Sequence, residues 1–110
     1  MYQVKTLGGK LADPAAAAGS CCPHRDRRFL SEVQAYWETP GHEGRLIEGS
    51  RKILERFRRH GVTAQYANYP SADFTGWEQA YYGGNYTRLQ AVKRKYDPDN
   101  RFRHAQSVKL

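Results

Sequence analysis

Gly83-Gly84 divides the last third of the chain into two helices where an unbroken run would have made one. Paired glycines reach the left-handed backbone of a helix stop and give little support to a continuing helix. Upstream, Thr75-Gly76-Trp77-Glu78 has the Thr-x-x-Glu spacing of a capping box, in which hydroxyl and carboxylate each satisfy a free backbone N–H at a helix start. Downstream, Asn85 is expected to cap a second helix. Its apolar positions Tyr86, Leu89, Val92 and Tyr96 fall on one stripe, and Asp97-Pro98 stops it. Ahead of both helices, Gln65 to Tyr69 is short, tyrosine-rich and closed by Pro70, which predicts a strand ending at a polar surface.

The earlier part of the chain mixes strand and helix signals without regular alternation. Tyr2, Val4 and Thr6 share one face of a short strand that Gly8-Gly9 interrupts. Asp13 to Gly19, with four alanines, reads as a surface connector. Phe29 to Trp37 suits a second strand, with Phe29, Ser31, Val33, Ala35 and Trp37 on one face and Leu30, Glu32, Gln34 and Tyr36 on a more polar one. After the Thr39-Pro40-Gly41 turn, Gly44 to His60 is the clearest helix. Leu46, Ser50, Ile53, Leu54 and Phe57 make its stripe, and Arg58-Arg59-His60-Gly61 places cations and a glycine where the dipole and the C-cap favour them. The expected architecture is α+β, an antiparallel sheet of a few strands covered by helices.

Size and charge exclude several functions. A chain of 110 residues makes at most one small domain, which would bury somewhat over ~60% of its unfolded surface. The net charge of +7 invites a nucleic-acid reading, but Arg45, Arg51, Lys52, Arg56, Arg58 and Arg59 share their helix with Glu43, Glu48 and Glu55. A mixed, solvated face argues against a nucleic-acid footprint. Cys21 and Cys22 are adjacent, where a disulfide would be strained, so they read as free thiols in a reducing compartment, and the expectation is a cytoplasmic protein. They lack zinc-site spacing with His24, and His24, His42, His60 and His104 show no mutual spacing for a metal, so no metal site is expected. No apolar run approaches a membrane span, and Met1 to Lys5 does not read as a signal peptide.

Taken together, Tyr66-x-Asn68-Tyr69, Trp77, Tyr81-Tyr82-Gly83-x-Asn85-Tyr86-x-Arg88-Leu89, Val92-Lys93-x-Lys95-Tyr96-Asp97-Pro98-x-Asn100-x-Phe102 and Gln106-Ser107 form a dense, ordered pattern. It resembles the C-terminal segment of berberine bridge enzyme-like FAD-linked oxidases, in the vanillyl-alcohol-oxidase superfamily. Gly8-Gly9 and Pro23-His24-Arg25 stand where that family has a Gly-Gly strand and a Pro-His-Arg strand entry, which extends the likeness with shorter motifs.

The resemblance implies the C-terminal portion of a larger flavoprotein fold, with residues 1–42 ending the substrate-domain sheet and 43–110 forming the berberine-like segment. The FAD-binding domain, with its Gly-rich pyrophosphate loop, is expected outside this chain, which alone should not turn over. In the family, hydride passes from a substrate carbon to the flavin while a base takes the hydroxyl proton. Tyr69 matches the position that faces substrate and accepts the proton, a role that needs surroundings favouring phenolate. Glu32, with Gln34 behind it, matches the cavity-lining strand. A carboxylate on the solvent side of an edge strand remains the other reading of Glu32. Tyr66 and Asn68 match positions near the flavin; Tyr86 and Arg88 read as structural. The implied partners are an FAD-binding domain or chain and a small hydroxyl-bearing substrate: an alcohol, a sugar or a secondary metabolite. The competing expectation is a non-catalytic binding or assembly module that associates, as a homodimer for instance, through an exposed aromatic face.

Overall fold

The computed structural model describes residues 1–110. Its elements in chain order are β1 (Tyr2–Thr6), α1 (Pro14–Ala18), β2 (Phe29–Val33), α2 (Glu43–Arg59), α3 (Trp77–Tyr82) and α4 (Tyr86–Tyr96). This is the expected α+β composition with one antiparallel sheet, here of two strands. The contacts divide into two compact units, one made of Met1–Leu7 with Arg28–Thr63 and the other of Gly8–Arg27 with Ala64–Leu110. The grouping interleaves the chain.

In the first unit β1 and β2 pair with Tyr2 opposite Val33 and Thr6 opposite Phe29. Backbone bonds from Leu7 N–H to Arg28 O (2.8 Å) and from Gln34 N–H to Met1 O (2.9 Å) extend the ladder at its two ends. The second strand ends at Val33 rather than Trp37, because β1 offers no residue opposite positions 35–37. One face carries Tyr2, Val4, Phe29 and Val33; Gln3, Lys5, Leu30 and Glu32 lie on the other. The stripe of α2 meets the first face where the Phe57 ring packs on Tyr2, with centroids 5.8 Å apart. That cover is partial: Val4 is 54% and Phe29 63% exposed. The helix stops as its sequence predicts. Gly61 takes a φ of +79°, and N–H groups of Gly61 and Val62 return to the carbonyls of Arg58 and Phe57, the paired bonds of a glycine-terminated helix.

The second unit holds all three buried residues of the chain, Trp77, Tyr81 and Asp97. Trp77 and Tyr81 follow one another by a helical turn on α3 with rings 6.1 Å apart, and Tyr86 of α4 closes edge-on against Trp77 at 5.8 Å. Burying each such aromatic contributes about 1.5–3 kcal/mol, and edge-to-face pairing adds about 0.5–1.5 kcal/mol. Gly83 takes a φ of +52°, and a Cβ placed there would meet Pro23 at 3.4 Å, so glycine suits both the backbone and the approach of the 21–27 loop.

Four local expectations are corrected. Residues 65–69 form no strand: Tyr69 N–H bonds to Tyr66 O at 2.9 Å, a tight turn, because no strand of the chain lies alongside to pair with. The capping box does not form. Gly76, with a φ of +73°, occupies the N-cap itself, so Thr75 stands one residue too early and Glu78 turns to Lys109 instead. Asn85 does not cap α4 with its side chain, since its backbone is already helical; its amide donates to Cys21 O at 3.1 Å. The 13–19 connector contains α1, opened by Pro14 at its first position and by Asp13, whose carboxylate accepts from Ala15 N–H at 2.9 Å.

The α4 stripe is covered at Tyr86 and Leu89, while Val92 and Tyr96 are 46% and 72% exposed. Asp97 ends the helix and organises the turn behind it. One carboxylate oxygen accepts from Arg101 N–H at 2.7 Å, and the other accepts from Phe102 N–H and from the Lys93 ammonium. Those bonds, Lys93 first, hold the Asp97 carboxyl below the usual range.

Candidate functional site

The tight turn at 66–69 brings three of the four singled-out residues together. Asn68 donates from its amide to the Tyr66 phenol oxygen at 2.7 Å, which directs the phenol proton of Tyr66 elsewhere. The Tyr69 ring stands edge-on to Tyr66 with centroids 5.3 Å apart. Tyr66 and Tyr69 are half-buried and Asn68 is exposed, so the cluster lies at the surface of its unit rather than in the core.

Two polar clasps hold the frame behind this turn. Gln106, from the closing Gln-Ser pair, accepts from the buried Tyr81 hydroxyl at 2.9 Å and donates to Ser71 O at 2.7 Å, just beyond Pro70. Lys109 pairs with Glu78 at 2.5 Å, lies 5.5 Å from the Trp77 ring centre, and donates its backbone N–H to the Tyr86 hydroxyl at 3.2 Å. Neither clasp follows from local periodicity. The fixed place of Gln106-Ser107 at the end of the pattern was their only signal.

Glu32 belongs to the first unit. Gln34 donates to one of its carboxylate oxygens at 2.6 Å, Lys5 approaches the other at 3.8 Å, and the side chain is 17% exposed. The side-chain amide oxygen of Gln34 is buried without a partner, while its backbone carbonyl accepts from the Met1 amino group at 2.6 Å. Of the tyrosines, Tyr82 is a poor proton acceptor, because burial first and the nearby Cys21, Tyr81 and Tyr86 next push its phenol up. No group of His, Cys, Asp and Glu side chains could hold a metal. No helix is long and apolar enough to cross a membrane.

The family model for berberine and berberine-like segments matches residues 65–109, which carry the 66–69 turn, α3, α4 and the Gln106 clasp. Residues 65–109 are a berberine-like segment, the C-terminal part found in berberine bridge enzyme-like FAD-linked oxidases. The chain is 36% identical, over 84% of its length, to 22% of the uncharacterized FAD-linked oxidoreductase YgaK of Bacillus subtilis. It is 37% identical, over 78% of its length, to 19% of the chitooligosaccharide oxidase of Gibberella zeae. A crystal structure of a glycopeptide hexose oxidase complexed with teicoplanin superposes with a TM-score of 0.81 at 30% identity, over 99% of this chain and 25% of that one. The chain thus spans about a fifth of the length of these curated relatives. Its fold is that of one part of a berberine bridge enzyme-like oxidase.

Proposed function

We propose that this chain supplies the substrate side and the flavin cap of an FAD-dependent oxidoreductase acting on a hydroxyl-bearing small molecule, a sugar, an alcohol or a secondary metabolite. The observation that carries the reading is the half-buried turn at 66–69. It presents two phenols and a carboxamide from a rigid frame, inside the segment that matches the family. This donor set suits the flat faces and the ring carbonyls and nitrogens of an isoalloxazine. FAD, when bound, supplies the hydride acceptor, and its phosphates are held by an FAD-binding domain or chain that partners this one.

Tyr66 and Asn68 line the flavin. The amide-to-phenol bond fixes the Tyr66 ring and leaves its O–H as a donor. Tyr69 takes the proton of the substrate hydroxyl as the carbon–hydrogen bond breaks. Glu32 lines the substrate cavity and is oriented by the Gln34 amide. The free thiols of Cys21 and Cys22 fit a reducing compartment such as the cytoplasm.

The test is the anaerobic rate of flavin reduction by substrate in the FAD-loaded protein. Tyr69→Phe should lower it by about 10²–10⁴-fold, the usual worth of a positioned base, with FAD content unchanged. A rate equal to that of the unsubstituted protein would remove Tyr69 from the chemistry.

A further inference from the structure

We infer that His24 is a positioning residue that presets the 66–69 turn, an inference that rests on the reading of Tyr69 as the proton acceptor. The imidazole Nε2 lies 2.9 Å from Gln65 O and 2.9 Å from Ala80 O, groups 41 and 56 residues away in the chain. Both neighbours are carbonyl oxygens, which only accept, so Nε2 carries the proton and shares it between them.

The two residues are themselves linked. Gln65 N–H bonds to Ala80 O at 3.1 Å. Residue 65 is therefore held on both sides, its N–H by the end of α3 and its C=O by the imidazole. That C=O belongs to the peptide that leads into Tyr66, so fixing it fixes the direction from which Tyr66 enters. The Tyr66 carbonyl then receives Tyr69 N–H at 2.9 Å and closes the turn. The imidazole in turn has a firm base. His24 O accepts from Arg27 N–H at 3.1 Å, and the neighbouring Pro23 packs where Gly83 leaves room. A shared hydrogen at one ring nitrogen thus reaches the two phenols through the backbone of Gln65 and Tyr66, without a hydrogen bond from His24 to either phenol.

Amide hydrogen exchange on the full chain separates this from a general stabilising role. His24→Ala should speed exchange at Tyr69 by about tenfold or more, while Asp97 N–H, bonded to Lys93 O at the far end of α4, keeps its rate. His24→Gln, whose terminal N–H₂ reaches as far as Nε2 and donates twice, should restore the Tyr69 rate. His24→Asn, one methylene shorter, should not. Unchanged exchange at Tyr69 in His24→Ala would overturn the inference. Should His24→Ala lose protection at Asp97 too, the comparison passes to the Gln and Asn variants, and equal Tyr69 exchange in those two would overturn it.

In the FAD-loaded protein, His24→Ala should lower kcat for flavin reduction about tenfold with KM little changed, and His24→Gln should recover it. A fall in KM-linked binding without a change in kcat would contradict the assignment. The two readings fail separately. If Tyr69→Phe leaves flavin reduction intact, the proton-acceptor role falls, while the exchange pattern still decides whether His24 sets the turn.

Discussion

The two units solve the same problem, holding irregular chain in place, by different means. The second encloses Trp77 and Tyr81 and ties its loops to them through side chains from distant positions: His24, Asn85, Gln106 and Lys109. The first encloses nothing. Its two strands and α2 meet through the Tyr2–Phe57 contact, and Val4, Phe29 and Ile53 remain exposed. The family match, at 65–109, falls entirely on the unit with the core. Order around the 66–69 turn therefore comes from the second unit's own residues, whereas the first unit leaves much of its apolar surface exposed.

The largest expected effect breaks or sustains that contrast directly. Trp77→Ala should cost about 3–5 kcal/mol in urea unfolding, as for a buried aromatic. Phe57→Ala, from a half-buried site on α2, should cost about half as much. Equal costs would mean that the second unit has no core advantage. A smaller loss, about 1–3 kcal/mol, is expected for Gln106→Ala, because it leaves the buried Tyr81 hydroxyl without its acceptor. A value near zero would show that the clasp is dispensable.

Acidification sharpens the contrast from the side of the first unit. Hydrogen bonds from Arg58 and then Arg59 lower Glu55 from 4.5 to about 2. A carboxylate depressed in this way contributes above its unfolded pKa and loses that contribution as pH falls through the folded one. The last turn of α2 should therefore loosen between about pH 4.5 and 2, seen as faster exchange at its terminal amides. Glu55→Gln should flatten that dependence. The smallest effect is expected at Ile53, 42% exposed on α2, where Ile53→Lys should change stability by no more than about 0.5 kcal/mol.

What the sequence made legible follows the range of each interaction. The α2 helix could be read, because its stripe and its Arg-Arg-His-Gly end are local. The Gly83-Gly84 break could be read for the same reason. The α1 helix is signalled by Asp13-Pro14, but its run of alanines carries no apolar stripe, so the stretch reads as a connector. The strand expected at 65–69 could not be corrected from sequence, since a strand exists only if a partner lies beside it. The double carbonyl contact of His24 and the Gln106 clasp join positions tens of residues apart, beyond the reach of periodicity. Tyr66, Asn68 and Tyr69 were visible as a pattern before their arrangement was, and that arrangement is a turn.

The most direct test of the central claim, that this chain is the substrate-side part of an FAD-linked oxidase, is a replacement. The segment of the Gibberella zeae chitooligosaccharide oxidase that this chain matches would be exchanged for it, and flavin bleaching followed anaerobically with sugars and alcohols. The account predicts a graft that retains FAD and is reduced by at least one of these hydroxyl compounds. A graft that is folded and FAD-loaded, whose flavin spectrum responds to added substrate yet never bleaches, would contradict it.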